Sequence, residues 1–361
     1  MTEKLIYNSE ISRRFSEALL GWFAAEKRPL PFRQTKDPYH IWISEIMAQQ
    51  TQIDTLIPYY HRFVKMFPNV TALAAAPEAQ VLKLWEGLGY YSRAKNLHRA
   101  AKMICEDYGG QFPQDYEALL KLPGVGPYTG GAIASIAFNA RVPAIDGNVL
   151  RVVSRFNDYH GDIAEDKVKK IITDWVRRSL PEAAGDFNES LMELGALICT
   201  PKSPRCMLCP VRPFCQSYAR GTCETLPVKS KKIRQKRLKM EVGILMSQDK
   251  IFLVKRPAEG LLAGLWSFPI IEAHKNSPGE AIRSALSEYF PGISAGELIG
   301  QDKHVFTHIV WEMTVYKFKL PEGRVSEMPE PYSAEACRFM DRREVAAVAL
   351  PVAFSKLLKL L

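Results

Sequence analysis

Four cysteines stand within seventeen residues, in CTPKSPRCMLCPVRPFC, as Cys199, Cys206, Cys209 and Cys215. A chain with C-x6-C-x2-C-x5-C spacing must fold so that four thiols meet. In a reducing compartment that favours a metal site over disulfides, and four thiolates suit either tetrahedral zinc or a [4Fe–4S] cluster. Spacing alone leaves both open. Pro201, Pro204, Pro210 and Pro213 stiffen the loop, while Lys202, Arg205 and Arg212 charge it for contact with backbone phosphates. Cys105, Cys223 and Cys337 stand apart and read as structural or incidental.

The chain of 361 residues exceeds one ordinary core, so two or three domains are expected. Residues 10 to about 198 carry period-3.6 patterns, as in ISRRFSEALLGWFAAE and DKVKKIITDWVRRSL, and read as all-helical. VKSKKIRQKRLKM (228–240) reads as a basic linker. Beyond it EVGILMS, KIFLVKRP, LWSFPII and HIVWEMTVYKFKL read as strands and AIRSALSEYF as a helix, an α+β domain. No apolar run reaches membrane-span length and the start lacks a signal peptide's apolar core, so a cytoplasmic, nucleoid-associated location is expected. A net charge of +9 favours a polyanionic partner, weakly by itself.

LKLPGVGPYTGGAI (120–133) breaks a helix and restarts it at once. Glycines there let Gly124, Val125 and Gly126 aim backbone N–H groups at a phosphate beside a helix N-terminus. A plain helix–helix turn is the alternative. Further on, AIDGNV sets Asp146 and Asn148 at a helix start, where capping alone explains one of them. A carboxylate so placed is also held ionised, as stabilisation of a cationic sugar requires. Glu45, in HIWISEIMAQQTQ, has apolar helical neighbours, and desolvation there would keep a proton on it for general acid work. An ordinary exposed helix glutamate is the alternative. Two carboxylates in contrasting environments match glycosidic bond cleavage.

SEIMAQQTQ, WEGLGYYSRAKNLH, LPGVGPYTGGAI, AIDGNV, FNESLMELGALICTP and the cysteine spacing, in this order, resemble the MutY family of adenine-excising helix-hairpin-helix DNA glycosylases. The resemblance covers the chain from about residue 10 onward. It implies a mostly α N-terminal glycosylase fold over 1–227, with the hairpin near 118–137 and a [4Fe–4S] loop at 199–215. It also implies a C-terminal Nudix-like α+β domain over 241–361. The metal centre would be [4Fe–4S], held by the four cysteines and structural in role. Glu45 would protonate adenine at N7 and Asp146 would stabilise the sugar cation, with Asn148 in the same group. Tyr128 stands where the related lyases carry a nucleophilic lysine, so the resemblance implies a monofunctional enzyme with Tyr128 hydrogen-bonded near Asp146. Arg28, Leu30, Arg33 and Glu189 would face the substrate. Gln50 and Tyr90 resemble residues that enter the stack and contact the opposite base.

Phe32 and Ala48 depart from a tryptophan and a leucine common in the family, through ordinary drift or an altered pocket. GLLAGLWSFP fits the Nudix-like domain, but the glutamate-rich hydrolase signature is missing, which leaves a recognition module. Phe306, Thr307 and His308 match a Phe-Ser-His loop that inspects the opposite base. The resemblance thus implies a monomer acting on double-stranded DNA containing adenine opposite 8-oxoguanine or guanine, with no membrane partner. A glycosylase/lyase for damaged pyrimidines and a non-catalytic DNA-binding protein are the rivals.

Overall fold

The structure, a computed structural model, describes residues 5, 7–230, 235–273, 278–288, 290–320 and 336–361. The chain divides into two compact units, Met1–Ala76 with Lys95–Lys231, and Pro77–Ala94 with Lys232–Leu361.

The first unit is helical. Its first helices are α1 (Ser9–Glu26), α2 (Pro38–Ala48), α3 (Ile53–Met66) and α4 (Val70–Ala75). After α5 (Glu78–Leu84), which belongs to the second unit, comes α6 (Ser92–Tyr108), most of which returns to the first. The rest are α7 (Tyr116–Leu119), α8 (Pro127–Phe138), α9 (Gly147–Phe156), α10 (Asp166–Ser179), α11 (Ala184–Leu197) and α12 (Gln216–Arg220). Local chemistry sets several starts: Asn8 and Asp37 cap α1 and α2 through their side chains, and Pro38 and Pro127 occupy first-turn positions. Phe15, Phe156, Trp175 and Phe187 are almost wholly buried where α1, α9, α10 and α11 meet. Each buried phenylalanine contributes roughly 2 kcal/mol.

The second unit is built on β1 (Lys236–Ser247), β2 (Lys250–Lys255), β3 (Trp266–Ser267), β4 (Ile270–Glu272), β5 (Glu297–Val305), β6 (Ile309–Lys319) and β7 (Cys337–Met340). The sheet order is β3–β2–β1–β6–β5, with β4 added to β1 and β7 to β2. β1 and β6 run parallel from Lys236↔Ile309 to Met246↔Lys319. The helix α13 (Glu280–Ser287) is anchored by buried Glu241 of β1, whose carboxylate accepts from Gly279 N (2.8 Å) and Ile282 N (3.1 Å).

Two boundaries differ from the expected ones. Residues 236–240 of the basic run are the start of β1, because Ile309–Met313 supply a strand partner that local composition does not reveal. Residues 231–234 of that run lie outside the described residues. The segment Pro77–Ala94, expected within the first region, clusters with the sheet. Lys83 Nζ donates to Val348 O (3.0 Å) and Leu350 N to Glu86 Oε1 (2.9 Å).

Candidate active site

A cleft of about 970 Å³ in the first unit is lined by Arg28, Leu30, Arg33, Glu45, Gln50, Tyr128, Asp146, Asn148 and Glu189. Residues from Arg28 to Glu189 thus share one cavity, and Phe32 and Ala48 line it too. Four helices supply the central groups: α2 presents Glu45, α8 Tyr128 in its first turn, α9 its N-cap Asp146, and α11 Glu189.

Burial pushes the Glu45 carboxyl up to about 7, against the opposing pull of a hydrogen bond from Tyr128. The nearby charges of Glu189 and Asp146 push the same way as burial. The Tyr128 hydroxyl donates to Glu45, with the charge of Asp146 close enough to act on both groups. Burial and the charge of Glu45 raise the Tyr128 phenol well above its ordinary range, so it stays a donor. Asp146 is raised by burial, with Val149 N (2.8 Å) and Asn148 Nδ2 (2.7 Å) donating to it and drawing it back. One carboxylate is thus poorly supported as an anion and the other is well bonded.

Three residues not picked out from sequence complete the wall. Glu193, one helical turn after Glu189 on α11, accepts from Arg28 Nη2 (2.6 Å) and Arg33 Nη2 (2.9 Å). Although burial opposes its charge, these guanidinium groups hold Glu193 at about 2. Arg33 Nε also reaches Glu189 Oε1 at 3.2 Å. Arg151 donates to Asn148 Oδ1 (2.8 Å), Gly195 O (2.9 Å) and Cys199 O (2.8 Å), tying the Asp146 group to the cysteine loop. Met192 Sδ lies 3.3 Å from the Tyr128 hydroxyl. The four-residue spacing of Glu189 and Glu193 was the available signal for the first of these. Gly195 permits the close approach of α11 to α9: a Cβ there would meet Asn148 Cβ at 2.5 Å.

In the hairpin, Gly124 turns the chain at φ +79° and Gly126 caps α8 with no side-chain hydrogen bond. Val125 differs from expectation. Its side chain is buried and its N–H bonds Leu122 O (3.0 Å), so Gly124, Gly126 and the first turn of α8 are what the hairpin can offer an anion. Gln50 adopts φ 58°, as does Tyr90 at 48°, in the left-handed region that costs a non-glycine residue about 1–2 kcal/mol.

Tyr90, Phe306, Thr307 and His308 belong to the second unit. Phe306 packs on Trp311 (centroids 4.9 Å apart) at the β5–β6 turn, leaving Thr307 and His308 exposed. Tyr90 OH and Thr307 Oγ1 share a hydrogen bond of 2.8 Å.

The cysteines ring a cavity of about 30 Å³, and here Cys223, read from sequence as structural or incidental, joins Cys199, Cys206, Cys209 and Cys215. Among the described residues, no three metal-ligating side chains converge as they would on one ion. Buried Arg155 donates to Thr200 O (2.6 Å) and lies 3.5 Å from Cys199 Sγ; with Arg212 it lines the same cavity. Burial, then the charge of Cys223, pushes the Cys206 thiol up to about 12. Thiolates so placed need a cationic centre, and the donor set fits an iron–sulfur cluster, with the Arg155 guanidinium beside Cys199.

Residues 43–178 match the HhH-GPD superfamily base excision DNA repair protein model, and residues 241–360 the NUDIX domain. The chain is 33% identical to the adenine DNA glycosylase of Mus musculus, over 96% of this chain and 77% of the relative. It is 38% identical to that of Buchnera aphidicola subsp. Baizongia pistaciae, over 82% and 83%. A thermostable thymine-DNA glycosylase structure aligns with TM-score 0.54 and 29% identity, over 58% of this chain and 98% of that one. A non-covalent endonuclease III–DNA complex shares the fold at TM-score 0.51 and 21% identity, over 60% and 99%. The chain belongs to the adenine DNA glycosylase (MutY) family, and is a DNA N-glycosylase acting on adenine in base excision repair.

Proposed function

We propose that this chain hydrolyses the N-glycosidic bond of adenine mispaired with 8-oxoguanine or guanine in double-stranded DNA, as a monofunctional enzyme. The observation that carries the reading is the pairing of Tyr128 with Glu45, a carboxyl raised to about 7 in the same cleft as Asp146. Glu45 holds the proton that adenine N7 needs to leave. Asp146, bonded by Asn148 and Val149, is the anion that faces the cationic sugar as the bond breaks. A phenol offers no amine for a Schiff base, which supports hydrolysis without strand cleavage. Arg28, Leu30, Arg33 and Glu189 form the wall that would receive the flipped base. Gln50 and Tyr90 would contact its partner, and Thr307 and His308 would read the oxidised edge. Cys199, Cys206, Cys209 and Cys215 would hold a [4Fe–4S] cluster, which supplies a rigid, DNA-facing loop and no step of the reaction. The protein would work as a monomer on DNA in the cytoplasm, at the nucleoid.

A duplex with one adenine opposite 8-oxoguanine tests this. Strand breaks should arise at that adenine only after alkali. Breaks without alkali, trapped by borohydride as a covalent adduct, would overturn the monofunctional reading, and intact DNA after alkali would overturn the mispair reading.

A further inference from the structure

Cys223 lies eight residues beyond the C-x6-C-x2-C-x5-C set, yet its Sγ is 3.9 Å from Cys206 Sγ and lines the same cavity. Two thiolates on one tetrahedral metal, each about 2.3 Å from it, stand about 3.8 Å apart. Cys206 and Cys223 have that separation. An iron of a [4Fe–4S] cluster offers the protein only one position, so the two sulfurs address the same corner.

The placement of Cys223 is held from both sides. Gly221, in the left-handed region at φ 71°, ends α12 and turns the chain back. Thr222 N then donates to Ser217 O (2.9 Å) and Thr222 Oγ1 to Asp158, which also receives Arg220 Nη1 at 2.7 Å. On the other side the buried Arg155 Nε donates to Leu226 O (2.9 Å). Ser217 Oγ, fully buried, lies 3.3 Å from Cys223 Sγ and 3.6 Å from Cys215 Sγ. Cys206 sits differently. It opens a three-residue turn whose Met207 and Leu208 are 72% and 67% exposed. Cys223 is thus on a clamped turn, while Cys206 is followed by two exposed side chains.

We propose that Cys223 is a reserve ligand for the cluster corner held by Cys206. The proposal rests on the iron–sulfur reading. In the exchange the bond from iron to Cys206 sulfur breaks and one to Cys223 sulfur forms. Cys223 gives up its proton and Cys206 takes one, and no electron is transferred.

The test is iron and acid-labile sulfide per chain, with the visible thiolate-to-iron absorbance, on full-length protein purified anaerobically. Wild type and Cys223→Ala should be fully loaded. Cys206→Ala should keep most of its iron, and Cys206→Ala/Cys223→Ala should lose nearly all of it. Cys209→Ala, which has no sulfur in reserve, should lose as much as the double variant. Loss from Cys206→Ala equal to that from Cys209→Ala would overturn the proposal. So would Cys206→Ala failing to accumulate as folded protein where Cys223→Ala does, or loss from Cys223→Ala alone. Wild type without iron would instead overturn the iron–sulfur reading itself.

Discussion

The Tyr128 hydroxyl donates to Glu45 Oε2, joining the first turn of the hairpin helix to the carboxyl proposed as general acid. That bond favours the charged form of Glu45 while burial favours the neutral one, and burial is the larger effect. The acid must be protonated to act. Single-turnover excision should therefore fall as pH rises through about 7. Tyr128→Phe removes the donor, so the Glu45 carboxyl should rise further and the alkaline limb should move to higher pH. An unmoved limb in the variant would separate Glu45 from the pH profile.

Glu45→Gln and Asp146→Asn should each lower excision by about 10²–10⁴-fold while DNA affinity, read by gel shift, is kept. Near-normal turnover by either would leave the mechanism without its acid or its anion.

Glu45 also predicts a stability effect. Its folded value of about 7 exceeds the ordinary 4.5, so the stability it contributes is complete below 4.5 and lost as pH rises through about 7. Above that pH Glu45→Gln should melt higher than wild type, and below 4.5 the two should converge. Equal melting temperatures across the range would mean that the carboxyl is not desolvated.

The Glu193 side chain is 1% exposed and pairs with both Arg28 and Arg33. Glu193→Ala takes the shared carboxylate from Arg28 and leaves Arg33 only Glu189 as a carboxylate partner, and should cost about 3 kcal/mol in denaturant unfolding. A loss within experimental error would show that the arginines find other partners.

A methyl group at residue 195 would meet Asn148 Cβ at 2.5 Å, too close for either side chain to turn away. Gly195→Ala should therefore displace Asn148 from Asp146, costing about 1–3 kcal/mol of stability and slowing excision. Unchanged kinetics would mean that the Asn148 bond does not position the carboxylate.

Thr307 and His308 are exposed at a turn anchored by Phe306 on Trp311. Thr307→Ala with His308→Ala should fold normally and still excise adenine slowly, with much of the preference for 8-oxoguanine over guanine lost. Excision rates against both partner bases read it, and an unchanged ratio would place recognition elsewhere.

Much of the helical unit was legible from residues near in sequence. Period-3.6 patterns, the capping carboxylate Asp146 and the Gly126–Pro127 step are local signals, because helix hydrogen bonds span only four residues. The same holds for the cysteine loop and for Tyr128 as a residue without an amine. β5 and β7 escaped notice. β5 is an edge strand with a largely exposed surface, so its residues carry little apolar alternation, and β7 is only four residues long.

What the tertiary structure alone decided are pairings across long stretches of chain. Tyr128 meets Glu45 across 83 positions, Arg28 meets Glu193 across 165, and Cys223 reaches Cys206 across a turn clamped by Asp158. A residue's type states what proton or charge it can carry. Whether Glu45 keeps its proton near pH 7, or Glu193 stays ionised beside it on the same wall, depends on desolvation and on which donors arrive from other helices. Those quantities exist only once the helices have packed.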